Sequence, residues 1–161
     1  MKIRRAHQSD IPQILPMIAK VCALHESWDS AKYGFLPQPE RLYENWLGDL
    51  IRKSKHLCLV AEAADSSKLV AFLIATVEKE IPIYRLKQFG FVHDLWVEPE
   101  HRHAGIARQM VMQMIEHFTH QGIEQIRLDT AMANDTARKL FESCGFRAST
   151  IEMLIEFNAS S

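Results

Sequence analysis

The sequence predicts an α/β or α+β sandwich, a mixed sheet with helices on both faces. Three observations predict it. Stretches with period-2 alternation and stretches with helical spacing follow one another in the order β-α-α-β-β-β-α-β-α-β. About half of the 161 residues are apolar (47%), enough for a core shared between layers. The strand through Phe91–Val97 runs by way of a charged turn, Glu98–His103, directly into a helix opening at Ala104-Gly105-Ile106-Ala107.

Lys2–Arg5 reads as a short edge strand. Ser9 or Asp10 caps a first helix, with Pro12 tolerated in its first turn and the stripe Ile11, Ile14, Leu15, Ile18 and Cys22 on one face. Pro16 lies deeper and is expected to kink or weaken it. Leu24–Pro39 has no clean period, and its acidic and aromatic residues (Glu26, Trp28, Asp29, Tyr33, Phe35) form either a substrate wall or a packed surface loop. Pro39 opens a second helix with stripe Tyr43, Trp46, Leu47 and Leu50. His56–Ala64 and Leu69–Val77 form a hairpin about the polar turn Asp65–Lys68, and Glu78–Gln88 is a loop.

The helix after the charged turn carries Ala107, Met110, Val111, Met114 and Phe118 on one face, and Gly122 ends it. Ile126–Thr130 is a strand. Asn134 or Asp135 caps a last helix with stripe Ala137, Leu140, Phe141 and Cys144, stopped by Gly145. Thr150–Phe157 alternates as a final strand, and Asn158–Ser161 is expected to fray.

The charge is balanced, 19 basic against 20 acidic residues, which argues against nucleic acid or an anionic membrane as partner. No apolar run approaches the roughly 20 residues that span a bilayer, and no signal-peptide core follows Lys2, Arg4 and Arg5. The three cysteines are widely spaced, as reduced thiols of a cytoplasmic protein are. His101-x-His103 lacks zinc spacing, so no metal site is expected.

The strand–turn–helix at Phe91–Ala107 is an anion site in outline. The first amides of a helix have no internal partners and sit at the positive end of its dipole, and Gly105 lets a ligand approach the backbone. That chemistry suits a phosphate-bearing ligand held by main chain. The chain has no Gly-Lys-Ser/Thr of a P-loop, which counts against an ordinary nucleotide site.

Arg102-His103-Ala104-Gly105-Ile106-Ala107 matches the pattern Q/R-x-x-G-x-G/A, directly after an apolar strand ending Val97-Glu98-Pro99. Downstream, Asn134-x-x-Ala137-x-x-Leu140-Phe141-x-x-x-Gly145-Phe146 matches a second pattern, and Ile3-Arg4-Arg5 with Ser9-Asp10-Ile11 fits the same opening. In these features the chain resembles the GNAT superfamily of acyl-CoA-dependent N-acetyltransferases, most closely over Val92–Phe146. The resemblance implies one N-acetyltransferase domain over residues 1–161. It also implies a twisted, mostly antiparallel mixed sheet of about six or seven strands, splayed between the fourth and fifth and flanked by about four helices.

The resemblance further implies that acetyl-CoA is the co-substrate. Backbone amides of Arg102, His103, Ala104, Gly105, Ile106 and Ala107 would cradle its pyrophosphate, and the pantetheine would bond to backbone near Leu95 and Val97 beside a β-bulge. Asn134 would help hold that arm, while Ala137 and Phe141 would line the thioester end. Relatives often place a tyrosine acid where Phe141 stands, so that acid is absent, and solvent or Ser143 is left to reprotonate the thiolate. His93 and Asp94 are the two candidate bases; alternation turns only one of them to the cleft unless a bulge intervenes. Acetylation of a primary amine on a small molecule or peptide, with Glu26, Asp29 and Asp94 favouring a cationic one, is the leading reading. A non-catalytic acyl-CoA-binding or sensor module is the alternative that Phe141 favours. The resemblance also allows a homodimer.

Overall fold

The computed structural model describes residues 1–157. Asn158–Ser161, expected to fray, lie outside the described residues. Five strands and four α-helices follow in the order β1 (Lys2–Arg5), α1 (Ile11–Trp28), α2 (Pro39–Arg52), β2 (Leu57–Glu62), β3 (Leu69–Lys79), β4 (Gln88–Val97), α3 (Ile106–His120), β5 (Ile126–Leu128) and α4 (Asp135–Ser143). The sheet order is β1-β2-β3-β4-β5, antiparallel throughout except for the parallel β4–β5 pair.

Both faces of the sheet are covered, which is why β2 and the first part of β3 read as continuous buried runs. One face presents Leu57, Leu59, Leu73 and Ala75 to Met110, Met114 and Phe118 of α3 and to Phe141 of α4. The other presents Val60, Phe72 and Ile74 to Ile14 and Ile18 of α1 and Leu47 and Leu50 of α2. The N-terminus is tied in electrostatically. Arg4 donates to both Asp10 oxygens (2.7 and 3.0 Å) and to Glu62 (2.6 Å), and Asp10 also accepts from the His7 amide. The Arg4 guanidinium holds the Asp10 carboxyl below the usual carboxylate range.

Two expectations need correction. First, the sheet has five strands among the described residues. Ile151, Met153, Ile155 and Phe157 alternate as a strand should, yet they are 76–87% exposed and pair with no neighbour. Alternation supplies a face, but a strand also needs an adjacent edge to accept its hydrogen bonds, and this segment runs alongside none. Second, α1 runs on to Trp28, past the expected break at Leu24, where the half-buried Trp28 packs on His25 one turn back and the Ser27 hydroxyl donates to the Leu24 carbonyl. The helix continues through Pro16, whose missing amide leaves one bond of the ladder unmade, as expected of a proline beyond the first turn.

Gly90 explains how α3 sits so close to the sheet. It pairs with Ile126 of β5, and a Cβ there would lie 2.9 Å from the ring of the fully buried Phe118. Gly90→Ala should therefore destabilise the fold by about 1–3 kcal/mol through overpacking, read as a lower urea midpoint with unchanged m-value. Unchanged stability would show that α3 can shift away at no cost. No helix among the described residues is long and apolar enough to cross a membrane.

Candidate active site

The site is built along β4. From Val97 back to Asp94 its residues pair in register with Ala71–Ile74 of β3; Val92 then pairs with Ala75, and His93 is left over. His93 is the extra residue of a β-bulge, so strict alternation fails at this point. The insertion turns both candidate bases to the α1/α2 face. This is the case in which alternation does not separate the two residues, because the bulge intervenes.

The two groups nevertheless sit in different surroundings. The His93 ring lies 5.0 Å from Trp46 of α2 and 5.0 Å from Phe91, edge to face in both cases, with its side chain 28% exposed. Its Nε2 is 2.7 Å from the Thr76 hydroxyl and 3.7 Å from Glu78, and Thr76 itself bonds Glu78 at 2.6 Å. Burial lowers the His93 pKa below its ordinary value, while the Glu78 charge works the other way. The ring is thus neutral at pH 7, as a base must be. Asp94 is turned under α1 and α2. Burial pushes its carboxyl up to about 6, against the opposing influence of the Tyr43 hydroxyl and His25. Its Oδ2 is buried with no hydrogen-bond partner.

The anion half of the site continues from the same strand. β5 pairs with β4 only from Gly90 to Val92. From His93 through Leu95 to Val97 the second edge of β4 has no strand partner, so, apart from the Val97 carbonyl that Arg102 engages, its main-chain polar groups are open along a cleft. The buried Thr130 hydroxyl, just past the end of β5, is likewise unpartnered. At the end of this edge the chain makes one turn of 3-10 helix at Pro99–His101 and reverses through His103 (φ 64°) and Gly105 (φ 77°) into α3. Among the described residues, the amides from His103 to Arg108 have no acceptor within the protein, whereas the Arg102 amide, expected in the same cradle, donates to the Pro99 carbonyl (3.3 Å) to close the 3-10 turn. They include the exposed Ala104 and Gly105, the buried Ile106 and the half-buried Ala107. Successive unpaired amides at a helix start form an anion-binding concavity.

Other expected residues are placed as follows. Arg102 donates from Nε to the Val97 carbonyl (2.9 Å) and lies 4.8 Å over the Trp96 ring, so it braces the turn against the strand end. The Asn134 side chain accepts from the Ala137 amide (3.1 Å) and caps α4. Ala137 and the buried Phe141 pack into the α3-side core, with Phe141 edge-on to Phe146 at 5.3 Å. Ser143 is not a free proton donor: its hydroxyl donates to Leu140 and accepts from Arg108. Trp28 and Tyr33 pack on the His25 ring at 5.2 and 4.9 Å, which favours the packed-loop reading of that segment.

Thr76 and Glu78 were not singled out from the sequence. The available signal was two polar residues, two apart, ending the apolar run of β3 opposite Phe91 and Phe89 in the first half of β4.

Comparison with known proteins agrees with this architecture. Residues 21–146 match the Acetyltransferase (GNAT) family. N-acetyltransferase family 8 member 3 of Rattus norvegicus is 28% identical over 136 residues, covering 83% of this chain and 59% of its own. The chain spans about half the length of the curated relatives it matches. Among solved structures, a mutant BH1408 protein from Bacillus halodurans superposes with a TM-score of 0.85 at 21% identity, covering 98% of this chain and 99% of that one. A predicted acetyltransferase from Clostridium acetobutylicum, solved with acetyl-CoA, does so at 0.75 and 18% identity, covering 96% and 95%. At these identities the structural likeness establishes the fold, and the family match establishes descent: the chain belongs to the acetyltransferase (GNAT) family.

Proposed function

We propose that residues 1–161 act as one N-acetyltransferase domain that moves an acetyl group from acetyl-CoA to a primary amine by direct attack on the thioester. The observation that carries this reading is the continuity of the open β4 edge with the unpaired amides of His103–Arg108, with His93 at the other end of that edge. The residues present fit coenzyme A: the amides suit its pyrophosphate, and the open main chain at Leu95, with the Val97 amide beside it, suits the amides of its arm.

When bound, acetyl-CoA supplies an activated acyl carbon. His93 takes the proton from the acceptor ammonium, which frees the nitrogen lone pair. The new C–N bond forms as the C–S bond breaks; the nitrogen gives up its second proton to solvent as the amide forms, and the sulfur leaves with its electron pair. No hydroxyl stands at Phe141 to protonate it, and solvent meets that need because a free thiol has a pKa of about 8.5. Glu78, 46% exposed beside His93, adds a negative charge where a cationic amine would approach. Both buried thiols are inert, Cys22 pushed up to about 11 and Cys58 to about 12 by burial, which fits a reducing, cytoplasmic setting.

The test has two arms. Calorimetry should find coenzyme A bound at least about a hundredfold more tightly than ATP, ~2.7 kcal/mol; equal affinities would sink the coenzyme A assignment. Thiol release from acetyl-CoA should then rise with cationic primary amines in a broad panel. Tight binding with no turnover for any amine would instead establish a binding module.

A further inference from the structure

We propose that Thr76 and Glu78 are positioning residues that set the tautomer of His93 and carry its charge during the reaction. The inference rests on the reading of His93 as base.

Thr76 is 3% exposed and, with Asp10, is one of the two buried polar side chains in the core of the described residues. A lone hydroxyl in such a place needs a reason, because burying it unpaired costs free energy. Its oxygen lies 2.7 Å from His93 Nε2 and 2.6 Å from Glu78 Oε1. A hydroxyl has one proton, and the carboxylate is the stronger acceptor. The Thr76 proton therefore goes to Glu78, and the oxygen accepts from Nε2–H. That choice determines the ring: Nε2 carries the hydrogen and Nδ1 keeps its lone pair. Nδ1 has no hydrogen-bond partner among the described residues, so it is the atom left to take a proton.

Once Nδ1 is protonated the ring is a cation. Glu78 stabilises it through Thr76 and directly across 3.7 Å. The other titratable groups facing the ring do not duplicate this. His56, whose Nδ1 accepts from the Val77 amide at 3.1 Å, has a pKa lowered by burial and is neutral at pH 7. Asp94 is turned away under α1, Trp46 and Phe91 carry no charge, and Glu78 alone supplies an exposed carboxylate within 4 Å.

The experiment reads the ring directly and needs no acceptor. In 15N spectra of the full chain at a pH where His93 is neutral, the wild type should show a protonated Nε2 and a bare Nδ1. Thr76→Val should lose this preference and Thr76→Ser should restore it. Glu78→Gln should move the His93 titration midpoint to lower pH. With an acceptor in hand, Thr76→Val should lower kcat about tenfold, with KM for acetyl-CoA within about twofold, and the acid limb of the Glu78→Gln profile should follow the NMR midpoint. A wild-type ring protonated on Nδ1, or a Thr76→Val spectrum identical to wild type, overturns the proposal. His93→Gln separates the two readings: full activity there removes the base assignment yet leaves the tautomer result intact.

Discussion

Gly105→Glu abolishes coenzyme A binding. Gly105 has φ 77°, a conformation in which a side chain is strained, and it lies in the middle of the unpaired amides at the start of α3. A Cβ added there meets only the end of the Gln109 side chain, at 3.9 Å, so the substitution leaves the core alone. The glutamate would bring a negative charge to the concavity that the pyrophosphate needs, and the helix amides would hold it there. Loss should exceed about a hundredfold, ~2.7 kcal/mol, by calorimetry, with secondary structure unchanged by circular dichroism. Affinity within threefold of wild type would mean that the ligand is held elsewhere.

His93→Ala should lower kcat by about a hundred- to ten-thousandfold, the range of a lost general base, and leave acetyl-CoA affinity nearly intact. Because burial holds the His93 pKa below about 6.5, the wild-type rate should be constant through neutral pH and fall only below that value, as the ring protonates and ceases to accept. Asp94→Asn gives the contrast. The Asp94 carboxyl is raised to about 6 by burial, so its ionised form weakens the fold. The sign follows from linkage: the folded state binds the proton more tightly, so this group costs nothing below the unfolded pKa near 3.9 and destabilises as pH rises through about 6. Asp94→Asn should therefore raise Tm at pH 8 and change kcat by less than about tenfold. If Asp94→Asn removes activity and His93→Ala does not, the two roles are exchanged.

The turn from Arg102 to Ala107 was legible in the sequence because its signals are backbone signals. A glycine past an apolar strand and before a helical stripe constrains φ and amide direction whatever the tertiary context. The start of α2 at Pro39, the cap at Asn134, the hairpin and the stripe of α3 were legible for the same local reason. What was not legible depends on partners far away in the chain. A bulge is a mismatch between two strands, so nothing in Phe91–Val97 alone marks His93 as the extra residue. Thr76 and Glu78 acquire meaning only from the strand that crosses them. Thr150–Phe157 shows the converse: Ile151, Met153, Ile155 and Phe157 alternate, yet no edge receives them. Arg102 matched its motif position, but the Trp96 ring and the Val97 carbonyl that engage it lie on the strand before the turn.

The bulge also sets strand pairing against site geometry. Ile74 pairs with Asp94 and Ala75 with Val92, so a chain lacking His93 would run the β3–β4 ladder without interruption and keep every other side chain on its present face. Such a strand would be the sturdier one, because an unbroken ladder leaves no unpaired residue. The extra residue interrupts the longest strand pairing of the sheet and sets an imidazole against Trp46, Phe91 and Thr76. The fold thus gives up ladder continuity where it places its candidate base, the kind of local cost that working sites carry.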